Sequence, residues 1–274
     1  MPADLKSLRQ PPPAEDATDR KGIQSVEIGV RVVDALAESA EPLPLREIAR
    51  RSGLSTSQAH RYLAGFMNSG LVTQDRGTQL YELGPRALRW GLAALTRINA
   101  VELASDAIKR LSDRLNQTGM VIVWGERGPT CIWLQRAPTL LGTDVGLGTV
   151  FPVLGSATGR LFLAYLPRSL TRGLVQAELK ALAHDLPEGV PDVEAIVAEV
   201  RAAGHSRASG HFVSSISALA APVFDHQGEV VLSLTMLART PELQRREAEI
   251  VQAVCGEAQA VSQMLGYGTR AARA

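Results

Sequence analysis

The chain has 274 residues, 45% of them hydrophobic and 21% charged, with a formal net charge of +1, which suits a soluble globular protein of about two domains and says nothing by itself about partners. Cys131 and Cys255 stand far apart in no metal-ligand spacing, which excludes a disulfide framework and points to a reducing compartment. No apolar run approaches the ~20 residues that span a bilayer, and Pro11-Pro12-Pro13 with mixed charges stands where a signal core would be, so a cytoplasmic protein without a membrane partner is expected.

Residues 1–21, rich in Pro, Ala and charge, read as a disordered tail. Ser25 can cap a helix running to about Ser39, with Val26, Val30, Val33 and Ala37 inward and Glu27 in the first turn. The stretch Leu45 to Gly70 then reads as two short helices around a tight turn. Pro44 stiffens the start of the first, Leu45, Ile48 and Ala49 share one face, and Gly53 stops it. Ser55 opens the second, with Gln58 three residues on, the signature of a capping box. Ala59, Leu63, Phe66 and Met67 face inward, which leaves Thr56, Ser57, Gln58, His60 and Arg61 near an exposed front until Gly70 ends the helix. Hydroxyls, an amide, an imidazole and a guanidinium at a helix N-terminus can donate to phosphates and to base edges. An ordinary helical hairpin with a polar outer face is the alternative, since helix-turn-helix patterns are short.

After Gly70 the period changes from helical to alternating. Leu71-Val72-Thr73 and Leu80-Tyr81-Glu82-Leu83 flank a polar turn and predict a β-hairpin. A hairpin after such a helix is a wing, and Arg76 at its tip can reach a phosphate or the minor groove. Between Pro44 and Arg89 stand Arg46, Arg50, Arg51, Arg61, Arg76, Arg86 and Arg89 against Glu47, Asp75 and Glu82, a balance of +4. That basic segment suits a phosphate-facing module, with solvated arginines clustered by chance as the other reading.

The segments GIQSVEIGVRVVDAL, LREIARRSGLSTSQAHRYL and YELGPRALRWG resemble the N-terminal domain of the IclR-type transcriptional regulators. The resemblance runs from Gly22 through essentially the whole chain, and Ser25-Val26-Glu27, Gly53-Leu54, His60-Arg61 and Tyr81-Glu82-Leu83-Gly84 are its most specific pieces. Pro44 stands where the family usually has a Ser or Thr cap, a place proline tolerates. Ser57-Gln58-Ala59 replaces a commoner Ser/Thr-Thr-Val, a change that bears on which bases are read.

Pro85 begins a further helix through Leu88, Leu92 and Leu95, expected to link the DNA module to the remainder. Trp90 and its stripe can pack on a partner subunit or within the chain. Val101, Ala104, Ile108, Leu111 and Leu115 mark the next helix. Strands follow at Met120–Trp124, Thr130–Gln135 and Leu140–Val145, then a helix opened by Gly155-Ser156-Ala157-Thr158-Gly159-Arg160 and running to about Tyr165, and helices at about Ser169–Glu178 and Asp192–Ala203. Strands at Ser215–Phe224 and Val230–Leu237 and a final helix carrying Val251, Val254, Ala258, Val261 and Leu265 complete the chain. The expected fold is α+β: a winged helix-turn-helix domain at 22–84, a linker helix at 85–98 and an effector-binding domain with an antiparallel-rich sheet at 99–270. Through PVLGSATGRLFLAYLP and ALAAPVFD the last part resembles the GAF-like effector domain of the same family.

Gly155-Ser156-Ala157-Thr158-Gly159 is no nucleophile elbow, because Ala157 stands where the serine of G-x-S-x-G belongs. Small residues at a helix start let a ligand approach backbone N–H groups, or allow tight helix–sheet packing. Gly146-Leu147-Gly148 lacks the third glycine of a dinucleotide fingerprint. His184, His205, His211 and His226 have no metal-site spacing, so neither metal nor cofactor is expected. The resemblance implies an effector cup walled by Leu141, Leu147 and Val150, with Ser156 and Ala157 at its lip and Ile216, Ala218 and Thr235 facing in from the late strands. Many relatives carry an acid upstream of the ALAAPV-like segment. Here Ser209-Gly210-His211-Phe212 occupies that region. His211 is then the candidate polar contact to a carboxylate, with an exposed loop histidine as the alternative.

The resulting expectation is an effector-responsive regulator, read as a repressor, that binds a double-stranded DNA operator as a homodimer or dimer of dimers and senses an organic acid or aromatic metabolite. An enzyme acting on a small acid and a purely structural DNA-binding protein are the competing readings. The absence of a nucleophile, a metal set and a cofactor loop argues against the enzyme.

Overall fold

The computed structural model describes residues 23–95, 99–138, 145–185, 191–209 and 215–268, and the chain divides after Leu88 into two compact units. The expected tail at 1–21 lies outside the described residues, as does the expected strand at Leu140–Val145 apart from Val145, which is not in a strand.

The first unit opens with α1 (Gln24–Ala37). Its N-cap is Ile23, which makes no side-chain cap bond, and Ser25 lies inside the first turn instead of capping it. The buried face is Gly29, Val32, Ala35 and Leu36, while Val26 and Val30 are 59% and 52% exposed. Two stripes with helical spacing lie side by side on α1, and periodicity cannot choose between them. Packing chooses the one with the smallest residue: a Cβ on Gly29 would sit 3.1 Å from the Phe66 ring, so α1 lies close on the third helix there.

Helix α2 (Leu45–Ser52) follows Pro44 and ends at Gly53, and α3 (Thr56–Ser69) ends at Gly70; both terminal glycines are left-handed. β1 (Val72–Gln74) and β2 (Tyr81–Leu83) pair antiparallel. Leu43 adds a rung, exchanging both backbone hydrogen bonds with Tyr81 at 2.9 and 2.8 Å. Val32, Leu36, Leu43, Ile48, Leu63, Val72 and Tyr81 form one core beneath α3. Gly84 locks the end of the wing to the end of α3. Its N–H donates to the Leu71 carbonyl at 2.7 Å, and a Cβ there would lie 2.5 Å from the Gly70 carbonyl oxygen. α4 (Pro85–Leu95) starts directly after it.

In the second unit α5 (Ala100–Leu115), capped by the Asn99 side chain, leads to the hairpin β3 (Thr118–Gly125) and β4 (Gly128–Gln135). After residue 145 come α6 (Ala157–Tyr165), α7 (Arg168–Asp185), α8 (Val193–Ala203), β5 (Ser206–Ser209), β6 (Ile216–Phe224), β7 (Val230–Arg239), α9 (Thr240–Arg245) and α10 (Glu247–Met264). The α7 helix runs seven residues beyond the expected Glu178 end, and β5 and α9 carry no clear periodic signal because each is so short. The strands form an antiparallel sheet in the order β4-β3-β7-β6-β5. Side chains alternate between its faces. Val121, Leu219, Ala221, Leu232, Leu234 and Met236 pack against α5 and α10. Met120, Ile122, Ala220 and Leu237 pack with Ala157, Leu161 and Phe162 of α6 on the other face.

Leu63 is fully buried at the centre of the first unit. Leu63→Ala should lower unfolding free energy by about 2–5 kcal/mol, as for other large core truncations, when followed by chemical denaturation.

Candidate functional site

The front of α3 is built by its cap. Ser55 Oγ accepts from the Gln58 N–H at 3.2 Å, and Gln58 Oε1 accepts from the Ser55 N–H at 3.1 Å and its hydroxyl at 3.0 Å. The capping box is therefore present as the Ser-x-x-Gln spacing implies, and it engages the carbonyl end of Gln58, leaving the amide end to face outward chemistry. Thr56, Ser57, Gln58, His60 and Arg61 are all exposed, while Ala59 and Leu63 behind them are fully buried. Five hydrogen-bonding side chains thus stand on one rigid N-terminal surface.

The wing tip is stitched from within. Asp75 Oδ1 accepts from the Thr78 N–H at 2.7 Å, the Thr78 hydroxyl at 2.9 Å and the Gly77 N–H at 3.0 Å. Those bonds, Thr78 foremost, hold the Asp75 carboxyl below its ordinary pKa. Gln79 Nε2 donates to the Arg76 carbonyl at 2.9 Å, so the backbone carrying the exposed Arg76 is tied down. The charge balance needs a correction. Glu47 grips Arg50 at 2.6 Å and Arg51 at 2.8 Å, and these partners, Arg50 first, hold its pKa at about 2. Two of the seven arginines are therefore already ion-paired on the exposed side of α2.

On the α6 face of the sheet the structure brings together Ala157, Ile216 and Ala218 in one apolar cluster, and Thr235 beside them. Thr235 Oγ1 lies 3.1 Å from Thr158 Oγ1 and 2.9 Å from Ser233 Oγ, a buried chain of hydroxyls that sequence reasoning missed in part; the S-x-T alternation of Ser233 and Thr235 on a late strand was its only signal. Val150 forms an isolated bridge with Thr130, so its segment runs along the outer edge of β4. Leu147 is not brought to the cup. The turn closes on itself, Gly146 N–H donating to Thr149 Oγ1 at 3.0 Å, and leaves Leu147 70% exposed at its tip. Leu141 and His211 lie outside the described residues.

The expected lip is buried instead of open. Ser156 is 7% exposed and Ala157 fully buried. The Ser156 hydroxyl donates to the Pro152 carbonyl at 2.7 Å and accepts from the Gly159 N–H at 2.9 Å, so it caps α6 and fills the helix N-terminus that a ligand was expected to use. Gly159 lets the loop cross the helix: a Cβ there would stand 2.2 Å from the Pro152 oxygen and 2.4 Å from the Val153 oxygen. Glu178 of α7, 25 and 24 residues away, accepts from the Val153 and Leu154 N–H groups at 2.6 and 2.8 Å. Arg160 Nε donates to the Leu154 carbonyl at 2.8 Å. The motif's polar residues hydrogen-bond the loop that crosses the start of α6, and the hydroxyls of Thr158, Ser233 and Thr235 lie buried between α6 and the sheet.

A basic-fronted helix with a wing, joined in one chain to an antiparallel sheet with a capped loop over it, is also what comparison with known proteins finds. Residues 25–76 match the IclR helix-turn-helix domain, and residues 92–263 match the bacterial transcriptional regulator IclR C-terminal family. The chain belongs to the IclR family of transcriptional regulators. The regulator BhcR of Paracoccus denitrificans is 28% identical over 228 residues, 82% of this chain and 80% of that protein. The DNA-binding transcriptional repressor YiaJ of Escherichia coli is 24% identical, covering 94% of this chain and 93% of its own length. The crystal structure of Pseudomonas aeruginosa HmgR superposes with a TM-score of 0.81 at 32% identity, over 90% of this chain and 99% of that one. IclR-family proteins are DNA-binding regulators of transcription and not enzymes. Among the described residues of this member no acidic, histidine and cysteine cluster is arranged to hold a metal, and no helix is long and apolar enough to cross a membrane.

Two substitutions separate cap from loop. Ser55→Ala removes the α3 cap and should cost about 1 kcal/mol in chemical denaturation. Gly159→Ala forces backbone apart beside α6 and should cost at least about 1–3 kcal/mol, the range for overpacked cores, with the same measurement.

Proposed function

We propose that this IclR-family member is an effector-responsive repressor that reads a double-stranded operator with the front of α3. The observation that carries the reading is the exposure of Thr56, Ser57, Gln58, His60 and Arg61 on a helix whose N-terminus is already capped and whose back is buried. Donors held on a rigid element can discriminate base edges, while the tied-down wing offers Arg76 to the backbone. Residues 22–84 serve as the DNA-binding part and 99–270 as the sensor, with 85–98 joining them. The repressor sign is supported by the name of the relative YiaJ.

The protein acts as a homodimer or dimer of dimers. Supporting this, α1 and its N-cap expose Val26, Val30 and Ile23, and α4 exposes Leu88, Trp90 and Leu92, each more than half exposed. Apolar side chains in such number call for a partner surface. Two-fold symmetry then matches a (pseudo)palindromic operator.

The effector is a small organic acid or aromatic metabolite held on the α6 face of the sheet. Thr158, Ser233 and Thr235 supply hydroxyls, and Ile216, Ala218, Ala157, Met120 and Ile122 supply the apolar wall. Leu141, Leu147, Val150, Ser156 and His211 complete the candidate set from the family resemblance. Binding favours one of two quaternary arrangements and so changes operator affinity.

Gel shifts over a salt series test the DNA reading. Arg76→Ala should weaken every duplex alike and reduce the log–log salt slope by about 1, whereas Arg61→Ala should cost about 1–3 kcal/mol and relax sequence preference. Equal affinity of the unaltered protein for its own upstream region and for random duplex would remove the reading. A thermal-shift screen of organic acids tests the sensor: a true effector at 100 times its Kd should add about 2.7 kcal/mol of stability. That gain should shrink in Thr235→Val, and the same compound should alter the gel shift. A hit that leaves operator affinity untouched contradicts the proposed coupling.

A further inference from the structure

A free side-chain amide both donates and accepts, but the amide of Gln58 on the front of α3 is left with only one of these capacities. Its Oε1 lies 3.1 Å from the Ser55 backbone nitrogen and 3.0 Å from Ser55 Oγ. A backbone N–H only donates, so the amide atom facing it is the oxygen. That oxygen cannot donate either, so the Ser55 hydroxyl hydrogen points at it, while the hydroxyl accepts from the Gln58 N–H at 3.2 Å. Both lone pairs of Oε1 are therefore filled from inside the cap. Nε2 has no acceptor among the described residues, and the side chain is exposed. Gln58 thus presents two N–H donors outward and no acceptor.

Duplex DNA as the partner follows from the family, and α3 as the reading element from the function proposed above, on which this inference rests. A glutamine free to use both ends of its amide pairs with adenine, accepting from N6–H and donating to N7. Gln58 has no acceptor left for N6, and releasing one would break the cap. Cytosine shows only its N4 donor and would meet Gln58 donor to donor. Guanine shows two acceptors, O6 and N7, and thymine one, O4, beside its methyl group. The hydroxyls of Thr56 and Ser57 rotate to donate or to accept, so they impose no comparable choice.

We infer that Gln58 is a donor-only reader that selects guanine at one position of each operator half-site, with Nε2 bonding O6 and N7. The residue type alone would point to adenine; the capping box reverses that preference.

The test is selection from a randomised duplex library with the full-length protein, followed by gel shifts on the selected sequence. One position in each half-site should prefer guanine, with thymine second and adenine weaker than guanine by about tenfold or more. Gln58→Ala should flatten that position and leave the others as they are. Gln58→Glu keeps an oxygen on the cap and replaces the outward donor by an acceptor, so the same position should turn to cytosine, whose N4 donates. That variant should melt no lower than the unaltered protein, since Ser-x-x-Glu is itself a capping box. Guanine replaced there by 7-deazaguanine, which lacks the N7 acceptor, should bind the unaltered protein several-fold more weakly and Gln58→Ala no differently. The inference is overturned if the position that depends on Gln58 prefers adenine or cytosine, if 7-deazaguanine binds as well as guanine, or if Gln58→Ala changes no position. When Arg61→Ala relaxes a position and Gln58→Ala relaxes none, this inference alone falls. When no sequence is enriched at all, base reading by α3 falls and takes it along.

Discussion

The second unit depends on one constraint: the residues of its central strands must serve one of two buried faces. Because side chains alternate along a strand, β7 sends Leu232, Leu234 and Met236 toward α5 and α10, and Ser233 and Thr235 toward α6. The first face is apolar along β7, with Ser217 of β6 as a buried hydroxyl near its edge. The second carries hydroxyls in an otherwise apolar surround. Its polarity follows from the register, since a slip of one residue would send the hydroxyls to the α5 side and leave apolar groups beneath α6.

The covering loop obeys a second packing rule. Backbone from Pro152 to Val153 runs directly over α6, which only a glycine at 159 permits. A segment that close to a helix still needs its N–H and C=O groups bonded. Glu178, Ser156 and Arg160 do this from two helices, so α6 with its cap and α7 hold the loop together.

The first unit follows the same economy on a smaller scale. Gly29 admits Phe66, Gly84 admits the carbonyl of Gly70, and the reciprocal Ser55–Gln58 cap completes the front of α3. The residues proposed to touch DNA do not hold the helix up, apart from the carbonyl of Gln58. Sequence preference can therefore change at Thr56, Ser57, His60 and Arg61 with little effect on the scaffold.

Local chemistry was legible without any coordinates. The Ser55-x-x-Gln58 box, the stops at Gly53 and Gly70, the wing, and the inward residues of α8 and α10 all depend on neighbours within a turn or two of the chain, so spacing alone specifies them. The family followed from the same short patterns. Whatever depends on a distant partner was decided only by tertiary packing. Two equivalent stripes on α1 were separated by the Phe66 ring, Ser156 became a buried cap because Pro152 crosses above it, and Glu178 met the loop through the path of α7. Periodicity records how a segment is polarised, but which surface is covered, and which polar atom is left without a partner as at Ser206, depends on residues that the sequence places far away.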